Sequence, residues 1–482
     1  MNIEAIVKRL KAETNNLDDI IYRKKYIKKN KIYIIYNEPL IASSAVSDFI
    51  MRSLNNISNY YKENLIDTIF NNVSNFKVKK VTTYEKICYF LHNGFTIILV
   101  NDSNYALALE TKADLNRGIS PPEEENTIRG AKDSFVENYQ INIGLIKRRL
   151  KSNDLWIDTI DVGKYTKTKI GIVYLNGVAK KSLVKKIKKK LESIDIAGIV
   201  NAGAIKNLVI EETNYLLPTI ISSERPDVTV NNLLEGKIAI VIDNSPFVLI
   251  APGLFTDFFK TPEDYYHRNR NATFTRILKY ICFAIALLAP AIYIALITYK
   301  HEMIPTKLLI SFAIQRDGVP FPAFFEAFIM MTAFEMLRES DLRSPTTGGS
   351  ALSIVGALIL GEAAVNAGIV SPIMIIVIAL TAICSLPFTE PEITNGIRWY
   401  RLFFMIGASF LGIIGVVMAL LVFIIKTVSV KSFGIPYTTP YIPTYLTGLK
   451  DSIIRFPFTK LNKRDPYLSD NITKERITEN EE

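Results

Sequence analysis

The chain has 482 residues, 49% of them hydrophobic, with a mean hydropathy of +0.19, which is too long for one ordinary domain and too apolar for a uniformly soluble protein. A net charge of +10 suits nucleic acid or the anionic inner face of a membrane, and the apolar excess favours the membrane over nucleic acid. Cys88, Cys282 and Cys384 lack paired or CxxC spacing, His92, His267 and His301 are scattered, and phosphate-loop, GxGxxG, HExxH and GxSxG motifs are missing. These features speak against a disulfide framework, a metal site, a cofactor and catalysis.

The N-terminus carries Lys8, Arg9, Lys11 and Glu13 and has no apolar signal core, so the first 270 residues are expected in the cytoplasm. They read as a two-part α/β (or α+β) region, 1–150 and 151–270. In the first part, 31–36 and 95–100 read as strands, with 105–110 pairing back across a polar turn. Helices are expected at 42–53, 59–72 and 135–150. In the second, 168–174 reads as a strand and 179–191 as a helix with Leu183, Val184, Ile187 and Leu191 on one face. Seven lysines cover the rest, a pattern that fits a solvated outer face better than contact with acidic head groups. Segments 237–243 and 247–251, split by Asp243-Asn244-Ser245-Pro246, predict a buried hairpin.

Residues 271–430 predict an α-helical polytopic membrane domain. Tyr265, Tyr266, Arg268, Arg270 and Arg276 mark the entry, and 277–299 is one span with Lys279 as its single charge. The next apolar stretch, 321–337, carries Glu326 and Glu335. Nine residues turn a helix through about 900°, so these acids point to opposite sides and cannot both face lipid. Arg338, Glu339, Asp341 and Arg343 then read as a charged loop. Residues 351–386 would reach roughly 54 Å as one helix, nearly twice the bilayer core, so a break is expected at 368–372. Segment 402–425 reads as a plain span, and Lys426, Lys431, Lys450, Arg455 and Lys460 place the tail 431–482 inside. About four spans result, or six if 308–314 takes part.

Inside this domain Ser353, Ala357, Gly361, Ala364 and Gly368 fall on one helix face, and Ala408, Gly412, Gly415 and Ala419 repeat the arrangement. Such faces let backbones approach, either within one bundle or between subunits around a pore. Glu362 is an acid in this setting, either a pore group or an interfacial carboxylate. Glu326, Glu335 and Arg338 are the other intramembrane charges, with internal ion pairing as an alternative role. On the channel reading the pore is lined by Ile354, Leu358, Gly361, Glu362 and Val365. A secondary transporter and a signal-relaying scaffold are rival readings, the first disfavoured because no paired repeat of several spans is visible.

The membrane half resembles the A subunit of the spore germinant receptors, the GerA family of endospore-forming bacteria. The likeness is carried by Val319-Pro320-Phe321-Pro322, Phe334 to Glu339, Ile354 to Gly361, Ala363-Ala364-Val365 and Ser432 to Tyr437. Arg129-Gly130, Phe135-Val136-Glu137-Asn138, Glu224-Arg225-Pro226-Asp227 and Glu263-Asp264-Tyr265-Tyr266 extend it into the N-terminal half. The resemblance implies a spore inner membrane complex that responds to small nutrients and starts germination. It implies a transporter-like B subunit and a lipoprotein C subunit as partners, and a homo-oligomer, as a pentamer, acting as a nutrient-gated ion channel.

Overall fold

The computed structural model describes residues 3–473 apart from 16, 28–29, 56–63, 74–76, 102, 114–124, 126, 128–129, 212, 344–359 and 472. Its N-terminal part is built on two five-stranded antiparallel sheets. The first comprises β1 (Ile20–Ile27), β2 (Asn30–Asn37), β3 (Val78–Val81), β4 (Phe95–Val100) and β5 (Ala106–Glu110), in the order β1-β2-β4-β5-β3. The second comprises β6 (Leu155–Val162), β7 (Thr168–Leu175), β8 (Ile221–Ser223), β9 (Ile238–Ile242) and β10 (Val248–Ala251), in the order β6-β7-β9-β10-β8. The two orders are the same pattern repeated. Strands β4 and β9 sit inside their sheets and are buried along their whole length, which explains their unbroken apolar runs.

The helix Tyr139–Arg149 joins the sheets. Its Tyr139, Ile143 and Ile146 belong to one buried cluster with Ile35, Ile97 and Leu99 of the first sheet and Val173, Val241 and Val248 of the second. Gly171 makes this possible, because a Cβ there would lie 2.5 Å from the Tyr139 hydroxyl. The helix starts four residues later than the apolar pattern predicts. Asn138 caps it, accepting from the Gln140 and Ile141 amides, while Phe135 N donates to Glu224 O in an extended segment. The lysine-rich helix, Lys181–Glu192, buries Leu183, Val184, Ile187 and Leu191 against the second sheet, and Lys186 and Lys188 pair with Glu211 and Asp158.

The helical part contains Asn269–Tyr299, Thr306–Arg316, Ala323–Arg343, helical residues 360–366, Pro372–Ile383 and Pro391–Ser429. Among the described residues two of these, Asn269–Tyr299 and Pro391–Ser429, are long and apolar enough to cross a membrane. The break expected near 368–372 is present, with Gly368 at φ +65° and Ser371 opening the next helix. The charged loop expected after Leu337 is instead a continuation of the Ala323–Arg343 helix.

The largest departure is at 402–425, where the sequence suggests one plain span. Gly412 adopts φ +61°, ψ −139°, and the Pro391–Ser429 helix folds into two antiparallel arms. Tyr400 and Phe423 have ring centroids 4.8 Å apart, whereas 23 residues of straight helix would separate them by roughly 34 Å. The turn needs glycine for its left-handed φ and for space, because Tyr299 packs on it and donates its hydroxyl hydrogen to Ser409 O at 2.7 Å.

Residues 431–471 run back along the sheets as a strap. Ser432 Oγ donates to Thr219 O, and Phe255 N donates to Tyr437 O. Farther on, Lys180 N donates to Leu468 O, and Ser469 bridges Ala179.

Candidate functional site: charged groups in and beneath the helical bundle

Glu326 is fully buried, and both of its carboxylate oxygens meet polar partners. Its Oε1 lies 2.9 Å from Arg316 Nη2, and its Oε2 accepts from both the amide and the hydroxyl of Ser371 at 2.9 Å. Ser371 is the N-cap of Pro372–Ile383, so its amide has no partner within that helix and the positive end of the helix dipole faces the carboxylate. One acid therefore ties together three helices. Glu335, on the opposite side of the same helix, pairs with Arg338 at 3.1 Å and with Arg398 at 2.9 Å on the first arm of Pro391–Ser429. Nearby, Arg401 is buried and donates to Ala286 O at 2.7 Å and Ser385 Oγ at 3.0 Å.

The expected pore segment is described only from residue 360. Gly361 is buried, and a Cβ there would touch Ile375 at an ordinary 3.8 Å. Glu362 is exposed, while Ala364 and Val365 pack against the bundle. Gly368 lies in the turn and so does not share the helix face assigned to it from spacing. Ser353, Ile354, Ala357 and Leu358 lie outside the described residues. The second small-residue set works inside the hairpin: a Cβ at Gly415 would lie 1.9 Å from Gly407 O, so the two arms touch backbone to backbone.

Beneath the bundle, a chain of charges fastens the first long helix to the sheets and the strap. Arg276, fully buried, donates to Asp264 Oδ2 at 2.7 Å and to Asp451 Oδ1 at 2.8 Å. Tyr265 donates to Asp451 at 2.8 Å, Lys260 stands 3.7 Å from both Asp451 and Asp257, and Asp257 holds Lys237 at 2.5 Å. Burial works to raise Asp257 and Asp451, but the surrounding cations prevail and hold both below the usual carboxylate range. Lys237, Asp257, Lys260, Tyr265 and Asp451 border a cavity of about 900 Å³ that also meets Tyr445 and Glu390. Glu390 immediately precedes the hairpin, accepts from Ser222 N and pairs with Lys206 at 2.9 Å. Burial pushes its carboxyl up, with Lys206 partly countering.

A second fully buried arginine, Arg225, organises the link between the sheets and the bundle. It donates to Asp227 at 2.9 and 3.1 Å, to Glu125 O and to Ala131 O, and Tyr266 completes Asp227 at 2.8 Å. Beside it Glu125 accepts from Ser223 Oγ at 2.7 Å, and burial pushes its carboxyl up to about 7. Among the described residues no group of three or more His, Cys, Asp and Glu side chains is placed to hold a metal ion.

Residues 8–467 match the family model described as the Bacillus/Clostridium GerA spore germination protein. The chain belongs to the GerA family. Spore germination protein KA of Bacillus subtilis (strain 168) is similar at 38% identity over 95% of this chain and 85% of that protein. Spore germination protein GerLA of Bacillus cereus is 33% identical over 97% of this chain and 96% of its own. YfkQ of Bacillus subtilis (strain 168), named an uncharacterized membrane protein, is 33% identical over 96% and 90%. A crystal structure of the N-terminal domain of the A subunit of the Bacillus megaterium spore germinant receptor GerK3 is also similar, at 28% identity and TM-score 0.42, covering 53% of this chain and 96% of that one.

Two of the GerA-like stretches noted in the sequence meet in space, since Glu224 to Asp227 and Glu263 to Tyr266 are joined by the Arg225–Asp227–Tyr266 contacts. Reading along the chain did not find the Arg276–Asp264–Asp451 node. The signal lay in an arginine placed immediately before an apolar span, but its second acid is 175 residues away.

Proposed function

We propose that this GerA-family chain is the A subunit of a spore germinant receptor that responds to small nutrients and triggers germination. In this reading it crosses the spore inner membrane and assembles with itself, as a pentamer, into a nutrient-gated cation pathway. A transporter-like B subunit and a lipoprotein C subunit are its partners, and the nutrient signal reaches the bundle through the charged node around Arg276.

The observation that carries the reading is the contrast among Glu326, Glu335 and Glu362. Glu326 and Glu335 are ion-paired within the chain, whereas Glu362 is exposed beside the apolar helix Pro372–Ile383. A carboxylate exposed to lipid is costly. Placed around an axis shared by several copies it would border water, where a ring of acids favours cations. Both ends of the hairpin lie next to the second sheet, and Arg276 near the start of Asn269–Tyr299 is fastened to Asp451 of the returning tail, which supports an even number of crossings with both termini on one side.

Conductance of the purified chain in planar bilayers tests this reading. Cation-selective current is expected, with Glu362→Gln reducing the selectivity. Glu362→Gln that leaves both current and nutrient-triggered germination unchanged would remove this segment from the pathway. Uptake of radiolabelled nutrient without current would favour a transporter.

A further inference from the structure

Three guanidiniums gather on two neighbouring helices at the end of the bundle nearest the sheets. Arg338 and Arg398 share the single carboxylate of Glu335, and Arg401 is satisfied by neutral oxygens. Among the described residues no carboxylate stands within ion-pair distance of Arg401. Arg398 Nη2 is buried without a hydrogen-bond partner. The cluster is therefore short of negative charge.

Its depth makes the shortage matter. The apolar run between Lys279 and Lys300 spans about 30 Å, and Tyr299 meets the hairpin tip at Gly412. Arg401 lies eleven residues from that tip, roughly 16 Å, and Arg398 roughly 21 Å. In a membrane the guanidiniums would thus enter about 10 Å into the hydrocarbon from the sheet side, within reach of the head groups by extended arginine side chains. Trp399 is 63% exposed at this level, and Phe403 and Ile406 are exposed on the tip side of it. An exposed aromatic beside cations, with an apolar wall on the tip side, is complementary to an amphiphile, not to a soluble anion.

We propose that Arg338 and Arg398, with the buried Arg401 behind them and Trp399 at the edge, bind the phosphate of an anionic phospholipid. Guanidinium forks match phosphate oxygens bidentately, and Arg338 and Arg398 each leave part of the side chain exposed while sharing one carboxylate. The site rests on the membrane placement proposed above, and the experiment separates the two.

The chain has two tryptophans, so Trp156→Phe leaves Trp399 as the reporter. The full chain is reconstituted in phosphatidylcholine vesicles containing equal mole fractions of either brominated phosphatidylglycerol or brominated phosphatidylcholine. Quenching about fivefold stronger by the glycerol lipid is expected, falling to parity in Arg338→Gln/Arg398→Gln. Equal quenching by the two lipids in the parent overturns the site, as does a preference that survives in the double variant. Relief of the preference by millimolar inorganic phosphate assigns the arginines to a soluble anion and overturns the lipid. Parity that becomes a glycerol-lipid preference in Glu362→Gln assigns them to the carboxylate of a neighbouring copy, with the same consequence. Quenching by neither lipid overturns the membrane placement itself.

Discussion

Arg276 has no route to water, so its two carboxylate partners decide whether it can be charged where it lies. Removing one member of a buried pair leaves the others uncompensated, at a cost of about 3–5 kcal/mol. Arg276→Gln should therefore lower the thermal stability of the chain in detergent far more than Arg9→Gln, whose guanidinium pairs with Glu13 at the surface. Glu125 gives a pH dependence. Burial lifts its carboxyl from 4.5 to about 7, so the fold holds the proton that the unfolded chain releases. Its contribution is present below pH 4.5 and is lost as pH rises through about 7, a change of about 3 kcal/mol. Melting temperature should fall between pH 5 and 8, and Glu125→Gln should flatten part of that slope. A slope identical in the variant would assign it to other groups, such as Glu390.

The helical hairpin is an element that hydropathy cannot resolve. Residues 402–425 hold one glycine every few positions, which suits a packed straight span as well as a tight turn, and nothing local states that Gly407 and Gly415 face each other. Antiparallel arms are testable directly: with Tyr400→Cys and Phe423→Cys, a short bifunctional maleimide should join the two positions within one chain. No such cross-link would restore the straight span. Gly415→Val should prevent closure and abolish accumulation of folded protein, because the added atoms meet a backbone carbonyl that cannot rotate away. Other elements were legible for clear reasons. Strands β4 and β9 announce themselves by β-branched runs, the Lys181–Glu192 helix by its four-residue apolar face, and the break at Gly368 by simple length. The late start of Tyr139–Arg149 was not legible, because Phe135 and Val136 continue the apolar pattern while their backbone pairs elsewhere.

On the scale of the whole molecule, the repeated strand order of the two sheets was invisible in the sequence, since the strands share pattern rather than residues. The strap was invisible for another reason: residues 431–471 form only turns, two-residue strands and single helical turns, and their meaning lies in the surfaces they touch. Asp451 belongs at once to the strap and to the base of the first long helix. Asp451→Asn should loosen both, exposing the 431–471 segment to limited proteolysis while leaving the Arg225–Asp227–Tyr266 contacts intact. Unchanged proteolysis would mean that Ser432 and Ser469 hold the strap without it. The hairpin adds a mechanical consequence. Its two feet stand on the same edge of the second sheet, Glu390 on Ser222 and Ser432 on Thr219. A shift of that edge cannot slide one arm past the other; it tilts both as a lever. With arms of about 30 Å, a rotation of about 5° at the feet carries the tip sideways by about 2.5 Å. That is enough to displace Tyr299 from Gly412, so a small movement near β8 would be felt at the far end of the bundle.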